Sequence, residues 1–249
     1  MISVLISCLF VRLDGVINVI RDQQQNVEYI IVVQGGEEED LASYIDSNFW
    51  THRQDIKIIF DSNFGVAYSR NLAIKNARGE IALFSDDDVT LDSSFFDLLL
   101  KSFSDFKNCD FLTFNVEDYD GKLLKPPLCH GYHNLRSILG VGTIQIAIRL
   151  NSQTRSYKFP LDLGAGAKYP CCDEPVYLSN FLKNGNLGRH IGKTICKHPK
   201  ESSGGSLDTR NKIISRLIAF RYIFGDKFGY FIFAVFICKN FKKVFFQRK

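Results

Sequence analysis

The sequence lacks the cysteine pattern of a secreted or zinc-binding protein. Its seven cysteines are an odd number, no two form a C-x-x-C pair, and no secretory signal is found, so we expect a reducing, cytosolic environment. No second Cys/His pair has the spacing of zinc ligands. We interpret the cysteines as small core residues, while the adjacent pair Cys171 and Cys172 leaves soft-metal binding or redox chemistry open.

Long hydrophobic stretches, internal repeats and low-complexity linkers are also missing. The longest uncharged run of the C-terminal tail, Phe228 to Cys238, has eleven residues and is too short to cross a membrane core of roughly 30 Å as a helix. A chain of 249 residues with 45% apolar side chains buries one large core, with or without an appendage, and is not disordered. Gly204 and Gly205, in a polar stretch, predict a boundary between a domain of residues 1–205 and a segment of residues 206–249.

What is present is an alternation of strands and helices. The predicted strands and helices, in chain order, are a strand at Ile2 to Leu9, a helix over 14–25, a strand at Val27 to Val33, a helix at Glu38 to Ser47 and a strand at Ile56 to Phe60. This order predicts an α/β fold with a mostly parallel sheet flanked by helices. Ligands of such sheets bind beyond the carboxyl ends of the strands, where Gln34 to Gly36, Asp61 to Gly65 and Asp86 to Asp88 fall.

Three consecutive aspartates, Asp86 to Asp88, follow the apolar run Ile81 to Ser85. Carboxylates held this close repel one another, so either their pKa values rise or a hard cation such as Mg²⁺ or Mn²⁺ relieves the repulsion. A divalent ion with open positions for phosphate oxygens suits a nucleotide diphosphate. The alternative interpretation is an acidic surface turn.

The preceding segment predicts a helix with oxygen caps from Asp61 to Asn63 and a left-handed stop at Gly79. Together with the aspartates it forms the pattern N-x-G-x(5)-N-x(5)-A-x-G-E, an apolar strand and D-D-D. This pattern resembles the nucleotide-sugar domain of family 2 glycosyltransferases. The resemblance covers residues 1–205 and implies a GT-A fold, which is Rossmann-like.

The resemblance also implies a donor site. Asp86 and Asp88 match the outer positions of a D-x-D motif, with Asp88 the direct metal ligand and Asp86 or Asp87 facing the ribose. Gln34 stands where the family has an aspartate beside the nucleobase, and its amide can still pair with uracil or thymine. The other nucleotide-binding positions of the motif are Asn63, Gly65 and Asn71. The first strand departs from the family, which leaves Arg12 as a doubtful phosphate or base contact.

An acidic pair, Asp173 and Glu174, precedes Pro175 at a predicted helix start, where the helix dipole favours ionised carboxylates. The resemblance implies that one of them is the general base of an inverting transferase. The family order is Glu-Asp, so Glu174 matches the base by position and Asp173 by residue type. Simple capping of the helix is the alternative.

Further candidates lie later in the chain. The resemblance implies that His198 closes the metal site, although a surface histidine fits as well. His130 and His133 have i, i+3 spacing without a third partner, and we interpret them as loop residues along the acceptor groove. Residues 140–149 predict a half-exposed strand, and from charge alone Arg149 and Arg155 are hypothesised to meet an anionic acceptor such as a pyrophosphate-linked lipid.

The C-terminal tail is basic and aromatic. From Thr209 onward it has ten Lys or Arg residues and one acid, Asp226. Cations interleaved with bulky apolar residues suit an anionic membrane surface better than nucleic acid. The alternative is a helical hairpin that packs on the domain or forms a homodimer.

The resemblance implies an inverting glycosyltransferase of the hexosyltransferase type. It would use a divalent metal, Mn²⁺ or Mg²⁺, and a nucleotide-sugar, a UDP-sugar by expectation, with a lipid-linked glycan as acceptor. Such members build bacterial surface polysaccharides, O-antigen or capsule, at the inner face of the cell membrane. One alternative is a haloacid-dehalogenase-like phosphatase with Asp86 as nucleophile, which the three preceding strands oppose. The other is a non-catalytic nucleotide- or glycan-binding domain.

Overall fold

The structure, a computed structural model, describes residues 1–127, 129–199, 207 and 209–242. The strands are β1 (Ile2–Leu9), β2 (Val27–Gln34), β3 (Ile56–Asp61), β4 (Ile81–Asp86), β5 (Thr90–Leu91), β6 (Cys109–Glu117), β7 (Ile146–Arg149) and β8 (Leu187–Lys197). The α-helices are α1 (Glu38–Ser47), α2 (Val66–Asn76), α3 (Phe95–Asp105), α4 (Asp173–Lys183), α5 (Arg210–Phe224) and α6 (Asp226–Lys239). Short 3₁₀ segments span Phe10–Asn18, Phe49–His52, Ser137–Gly140, Thr143–Gln145 and Thr154–Ser156.

The strands form one sheet in the order β3-β2-β1-β4-β7-β6-β8-β5. Strands β1 to β4 pair in parallel, whereas β7 runs antiparallel to both β4 and β6. Separate apolar cores cover the two faces, one including α1 and α3 and the other α2 and α4. Burial on both faces explains why β1 and β2 are continuous apolar runs. The predicted α/β fold is confirmed, and the complete sheet is mixed.

The first strands and α1 have the predicted bounds to within one residue. The helix predicted over 14–25 is wrong, because a 3₁₀ segment, Phe10–Asn18, occupies this region. The buried side chains of this segment, Leu13 and Val16, and the buried Val19 just after it are spaced three residues apart. Three residues per turn is the period of a 3₁₀ helix, so this spacing favours the tighter form.

The predicted ends of α2 are also corrected. Its N-cap is Gly65, with φ of 124° and no side-chain cap, so the oxygens of residues 61–63 do not cap it. At the other end α2 stops at Asn76, and Gly79 is not left-handed. A Cβ at Gly79 would lie 2.6 Å from the Ser3 Oγ and 2.8 Å from the Ser3 nitrogen. Glycine is therefore needed at this position for a close approach to β1 rather than for a turn.

The strand expected over 140–149 is shorter and more buried than predicted. Only Ile146–Arg149 is extended, and it lies inside the sheet between β4 and β6. The Arg149 guanidinium donates to backbone carbonyls at the end of α3 and the start of β6, and Arg155 donates to three carbonyls after and within α2. Both guanidinium groups are thus engaged with the backbone, and the hypothesis that they meet an acceptor gains no support.

Helices α5 and α6 form a hairpin beside α4. Ala219 and Ile223 of α5 pack with Leu163 and Val176 in a small separate core. Within the described part of the chain, no helix is long and apolar enough to cross a membrane. The boundary predicted at Gly204 and Gly205 lies outside the described residues and stays a prediction.

Candidate active site

The carboxyl ends of β1, β2 and β4 open into a cavity of about 800 Å³. These ends meet because the three strands are adjacent and parallel. The start of α4 faces them across the cavity, and residues of α5 and α6 line a further part of its wall. The predicted location of the site, beyond the strand ends, is therefore also the location of this cavity.

Two glycines allow the loops at the cavity edge to touch. Gly65 and Gly166 both have positive φ, 124° and 79°, and a Cβ on Gly166 would lie 2.9 Å from the Gly65 Cα. Beside them the Val66 nitrogen donates to the Ala165 carbonyl at 3.0 Å. The start of α2 is therefore fixed against the loop that leads to α4. Gly65 lines the cavity as predicted.

The aspartate triplet is held by an arginine. Arg12 lies 2.6 Å from the Asp87 Oδ1 and 2.8 Å from the Asp88 Oδ2. Burial raises the pKa of Asp87 to about 6, although Arg12 opposes this rise. Arg12 had only a doubtful predicted role, because its place beside the triplet depends on the 3₁₀ segment after β1. Arg12 is thus a cation of the site that the sequence underestimated.

His198 lies beside the triplet, as predicted. Its Nε2 is 3.1 Å from the Asp88 Oδ1, and its Nδ1 is 2.6 Å from the Pro199 carbonyl. The carbonyl only accepts, so Nδ1 carries a proton and Nε2 faces the carboxylate. Contact with His198, helped by Arg12, lowers the pKa of Asp88 to about 2.

The fit of this corner to a metal ion is partial. The buried Asp88 Oδ1 and the His198 Nε2 are 3.1 Å apart, and Nε2 can act as a metal ligand beside it only when it carries no proton. Among the described residues, no group of three or more His, Cys, Asp or Glu side chains is arranged to hold a metal. A cation at this point would need further oxygen ligands, such as those of a diphosphate.

Arg70 of α2 is a site residue that the sequence analysis missed. It is 6% exposed, its Nη1 is 2.5 Å from the Asp173 Oδ2, and its Nη2 is 3.6 Å from the Asp86 Oδ1. Asp86, expected at the metal or ribose, is therefore oriented towards a guanidinium. A signal was available, because Arg70 lies three residues after buried Ala67 and four before buried Ile74. Helical spacing thus places it on the buried face, where an arginine needs a carboxylate partner.

The acidic pair lies in the first turn of α4, as predicted. Asp173 is 2% exposed, and burial together with neighbouring Glu174 raises its pKa. Glu174 accepts a hydrogen bond of 2.7 Å from the Thr143 Oγ1. Burial would raise the pKa of Glu174, but Arg70 and Thr143 outweigh it and lower that pKa. Arg70 and Thr143 therefore favour the ionised form of Glu174, whereas Asp173 is ion-paired with Arg70.

Gln34 lines the cavity, but its amide is engaged within the protein. Its Nε2 donates to the Asp61 Oδ2 at 3.0 Å and to the Gly65 carbonyl at 3.2 Å, and its Oε1 accepts from the Gly65 nitrogen. Both amide hydrogens are thus used to fix the loop after β3. The prediction that the Gln34 amide pairs with a nucleobase as both donor and acceptor is therefore corrected. Only its carbonyl oxygen keeps a lone pair that can accept a hydrogen bond.

The two asparagines of the motif are engaged in hydrogen bonds within the protein. Asn63 donates to the Asp61 Oδ1 from its backbone and its side chain. Asn71 exchanges hydrogen bonds with the backbone of Phe159. Neither lines the cavity. Phe64, by contrast, does line it and is 58% exposed, yet nothing in the sequence singled it out.

The other histidines lie apart from the cavity. His133 and His190 both contact the Thr113 hydroxyl, at 2.8 and 3.1 Å, and burial lowers the pKa of His133 to about 4. His130 is exposed. None of these side chains lines the cavity, so the interpretation of His130 and His133 as groove residues gains no support.

Comparison with known proteins gave matches to a family model, to a sequence relative and to solved structures. A family model described as "Glycosyl transferase family 2" matches residues 7–159. The "Uncharacterized glycosyltransferase YfnE" of Bacillus subtilis (strain 168) is 38% identical over 63 residues, which are 24% of this chain and 15% of that protein. The matched stretch is thus a small part of this relative.

Among solved structures, S. aureus TarS 1–349 has a TM-score of 0.67 at 14% identity, covering 97% of this chain and 72% of the other. The same TarS fragment in complex with UDP-GlcNAc has a TM-score of 0.65 at 16% identity, with the same coverage of both chains. A longer TarS structure is matched over 43% of its length, with a TM-score of 0.66 at 15% identity and 96% of this chain covered. At these identities the likeness concerns the fold.

Proposed function

Since the chain belongs to glycosyl transferase family 2, we propose that it is an inverting glycosyltransferase that moves a sugar from a UDP-sugar to a hydroxyl group. The observation that carries the proposal is the position of Glu174 at the start of α4, where Thr143 donates to its carboxylate in the same cavity as the triplet Asp86 to Asp88. The TarS complexes with UDP and with UDP-GlcNAc favour a uridine nucleotide, because TarS has this fold.

Glu174 is the proposed general base. An acceptor hydroxyl must lose its proton as its oxygen attacks the anomeric carbon, and the base must be ionised before that step. Thr143 orients the Glu174 carboxylate, and Arg70 keeps its neighbour Asp173 in place. Attack from the face opposite the departing diphosphate inverts the anomeric centre, so the product of an α-linked donor is a β-glycoside.

The departing diphosphate needs positive charge nearby. Arg12 provides one cation, and Asp88 with His198 would hold a divalent metal whose remaining ligands are phosphate oxygens. A bound Mg²⁺ or Mn²⁺ would neutralise the charge that develops on the leaving group.

The nucleobase is proposed to lie over Gly35, where β2 ends. A Cβ on Gly35 would be 3.8 Å from both the Leu9 Cδ2 and the Phe64 Cε2, so these side chains flank an open glycine floor. The exposed Phe64 ring offers a stacking surface. The free lone pair of the Gln34 Oε1 accepts the N3–H of uracil.

The test measures binding and chemistry separately. We expect calorimetry to detect UDP binding that strengthens with Mn²⁺, and Asp88→Ala to weaken it by at least about tenfold, or about 1.4 kcal/mol. Glu174→Gln should bind UDP normally but lose the release of UDP from UDP-GlcNAc, because it lacks the base. Absence of UDP binding with every divalent metal tested would overturn the proposal.

The acceptor is proposed to be lipid-linked, on the cytoplasmic face of the membrane, as for surface polysaccharides. Phe220 of α5 and Phe236 of α6 line the cavity. Elsewhere on α6, Phe228 and Phe231 are 70% and 66% exposed, and Lys227 lies beside them. Exposed aromatic rings flanked by cations suit an anionic bilayer surface, which would bring a lipid-linked acceptor to the cavity wall.

Sedimentation with anionic vesicles tests this attachment. We expect the double variant Phe228→Ser, Phe231→Ser to lose most vesicle binding. Leu100→Ser on α3, on the opposite face of the sheet, is the matched control and should keep it, since Leu100 is also exposed. Equal binding by both variants, or a homodimer that buries α6 in solution, would refute the membrane role of this face.

The phosphatase alternative has less support than the transferase. Asp86 ends the fourth strand along the chain, whereas a phosphatase nucleophile of that class follows the first, and its carboxylate faces Arg70. A non-catalytic binding domain is also disfavoured, because Glu174 lines the cavity and accepts a hydrogen bond from Thr143 there, as a general base would require.

A further inference from the structure

We infer that Cys171 and Cys172 form a peroxide-sensitive dithiol site in the wall of the cavity. Their sulfur atoms are 3.5 Å apart, with the Cys172 thiol donating to the Cys171 Sγ. Both residues line the cavity, and they directly precede Asp173 and Glu174. The function proposed above assigns nothing to either thiol.

Charge makes the two thiols unequal. The Arg216 Nη1 lies 3.5 Å from the Cys171 Sγ, and the start of α4 adds the positive end of a helix dipole. The hydrogen bond from Cys172, together with Arg216, lowers the pKa of Cys171 to about 6, while the pKa of Cys172 is raised. Cys171 is thus the thiolate that reacts with the oxidant, and Cys172 is the thiol that then attacks the oxidised Cys171 sulfur.

The remaining cysteines lack this combination. Burial raises the pKa values of the Cys8, Cys109 and Cys196 thiols, which belong to the apolar core. Cys129 and Cys238 have no cysteine neighbour in the sequence and do not line the cavity. Low pKa, access through the cavity and an adjacent second thiol therefore coincide at one place.

The reaction needs only a small oxidant, which suits a thiolate that is 7% exposed. The Cys171 thiolate attacks one oxygen of hydrogen peroxide, the O–O bond breaks, and hydroxide leaves to give a sulfenic acid. The Cys172 sulfur then attacks the sulfenic sulfur, and the hydroxyl leaves as water with the thiol proton. Two thiols and one peroxide become one disulfide and two waters.

The backbone makes this disulfide reversible and gives it an effect on the site. Adjacent Cα atoms are about 3.8 Å apart, below the usual 4.4–6.8 Å of disulfides, so the bond is strained and easily reduced. Cys172 already has a left-handed φ of 74° at the N-cap of α4. Closing the ring changes the backbone at this cap and so moves the first turn of α4. Loss of transfer on oxidation follows from this movement and rests on the proposed function.

The experiment uses the full chain with Cys238→Ser, which removes the exposed thiol and with it the main route to intermolecular disulfides. After treatment with hydrogen peroxide, mass spectrometry should find the peptide with Cys171 and Cys172 lighter by about 2 Da, and dithiothreitol should restore it. Cys171→Ser should abolish the oxidation. Cys172→Ser should stop at a sulfenic acid that dimedone traps.

Cys129→Ser, a half-buried cysteine outside the pair, is the matched control and should oxidise like the parent protein. An unchanged peptide under peroxide, or oxidation that begins at Cys172, would overturn the inference. The mass readout needs neither donor nor acceptor, so it stands even if UDP binding fails. Conversely, UDP binding without any 2 Da change would contradict this site alone.

Discussion

Arg70→Met provides the strongest test of how the site is assembled. The guanidinium is buried, 2.5 Å from the Asp173 carboxylate and 3.6 Å from that of Asp86, with Glu174 also close enough to raise its pKa. Methionine keeps much of the packing volume against the Phe159 ring but leaves these carboxylates without their cation. Removing one partner of a buried ion pair costs about 3–5 kcal/mol, and we expect a loss of this size at about pH 8.

The loss of stability in Arg70→Met should become smaller as the pH falls. Burial and Glu174 already raise the pKa of Asp173, and removal of Arg70 raises it further above the value in the unfolded chain. The folded variant then binds a proton more tightly than the unfolded chain, so its stability recovers as the pH falls. At about pH 5 only about 1–2 kcal/mol of lost hydrogen bonding should remain.

Urea unfolding at the two pH values measures the loss of unfolding free energy at each pH. Arg149→Met is the matched control, because Arg149 donates to backbone carbonyls and stacks 5.0 Å from the Phe103 ring. It should cost about 1 kcal/mol at both pH values. A loss for Arg70→Met that is the same at both pH values, or no larger than that of the control, would refute this account of the buried carboxylates.

Two further variants test the base and the fold. Thr143→Val removes a hydrogen bond that holds the Glu174 pKa down, so the acid limb of the kcat/KM profile should move to higher pH; an unmoved limb would exclude Glu174 as the titrating base. Gly79→Ala should cost about 1–3 kcal/mol in urea unfolding, because its Cβ meets the backbone of Ser3, whereas Gly192→Ala, with nothing within 4 Å, should be neutral; equal effects would contradict the close approach.

The outline of the fold followed from local patterns. Strands β1 and β2 were predictable because they are buried on both faces and so form unbroken apolar runs. The triplet Asp86 to Asp88 and the pair at the start of α4 were predictable because strand ends and helix starts are marked in the sequence itself. Parallel strands then bring their carboxyl ends to one edge, which gave the location of the cavity.

The sequence by itself thus determined which segments become strands and helices and which edge of the sheet carries the acids, since both depend on neighbours along the chain. Only the tertiary structure decided the partners. Arg70 meets Asp173 across 103 positions, and the Gln34 amide is taken by a loop 31 residues away. Helices α5 and α6 supply a cavity wall that no local pattern indicated. Such pairings depend on how elements far apart in the sequence pack against each other. The local spacing of residues does not indicate which of these elements come into contact.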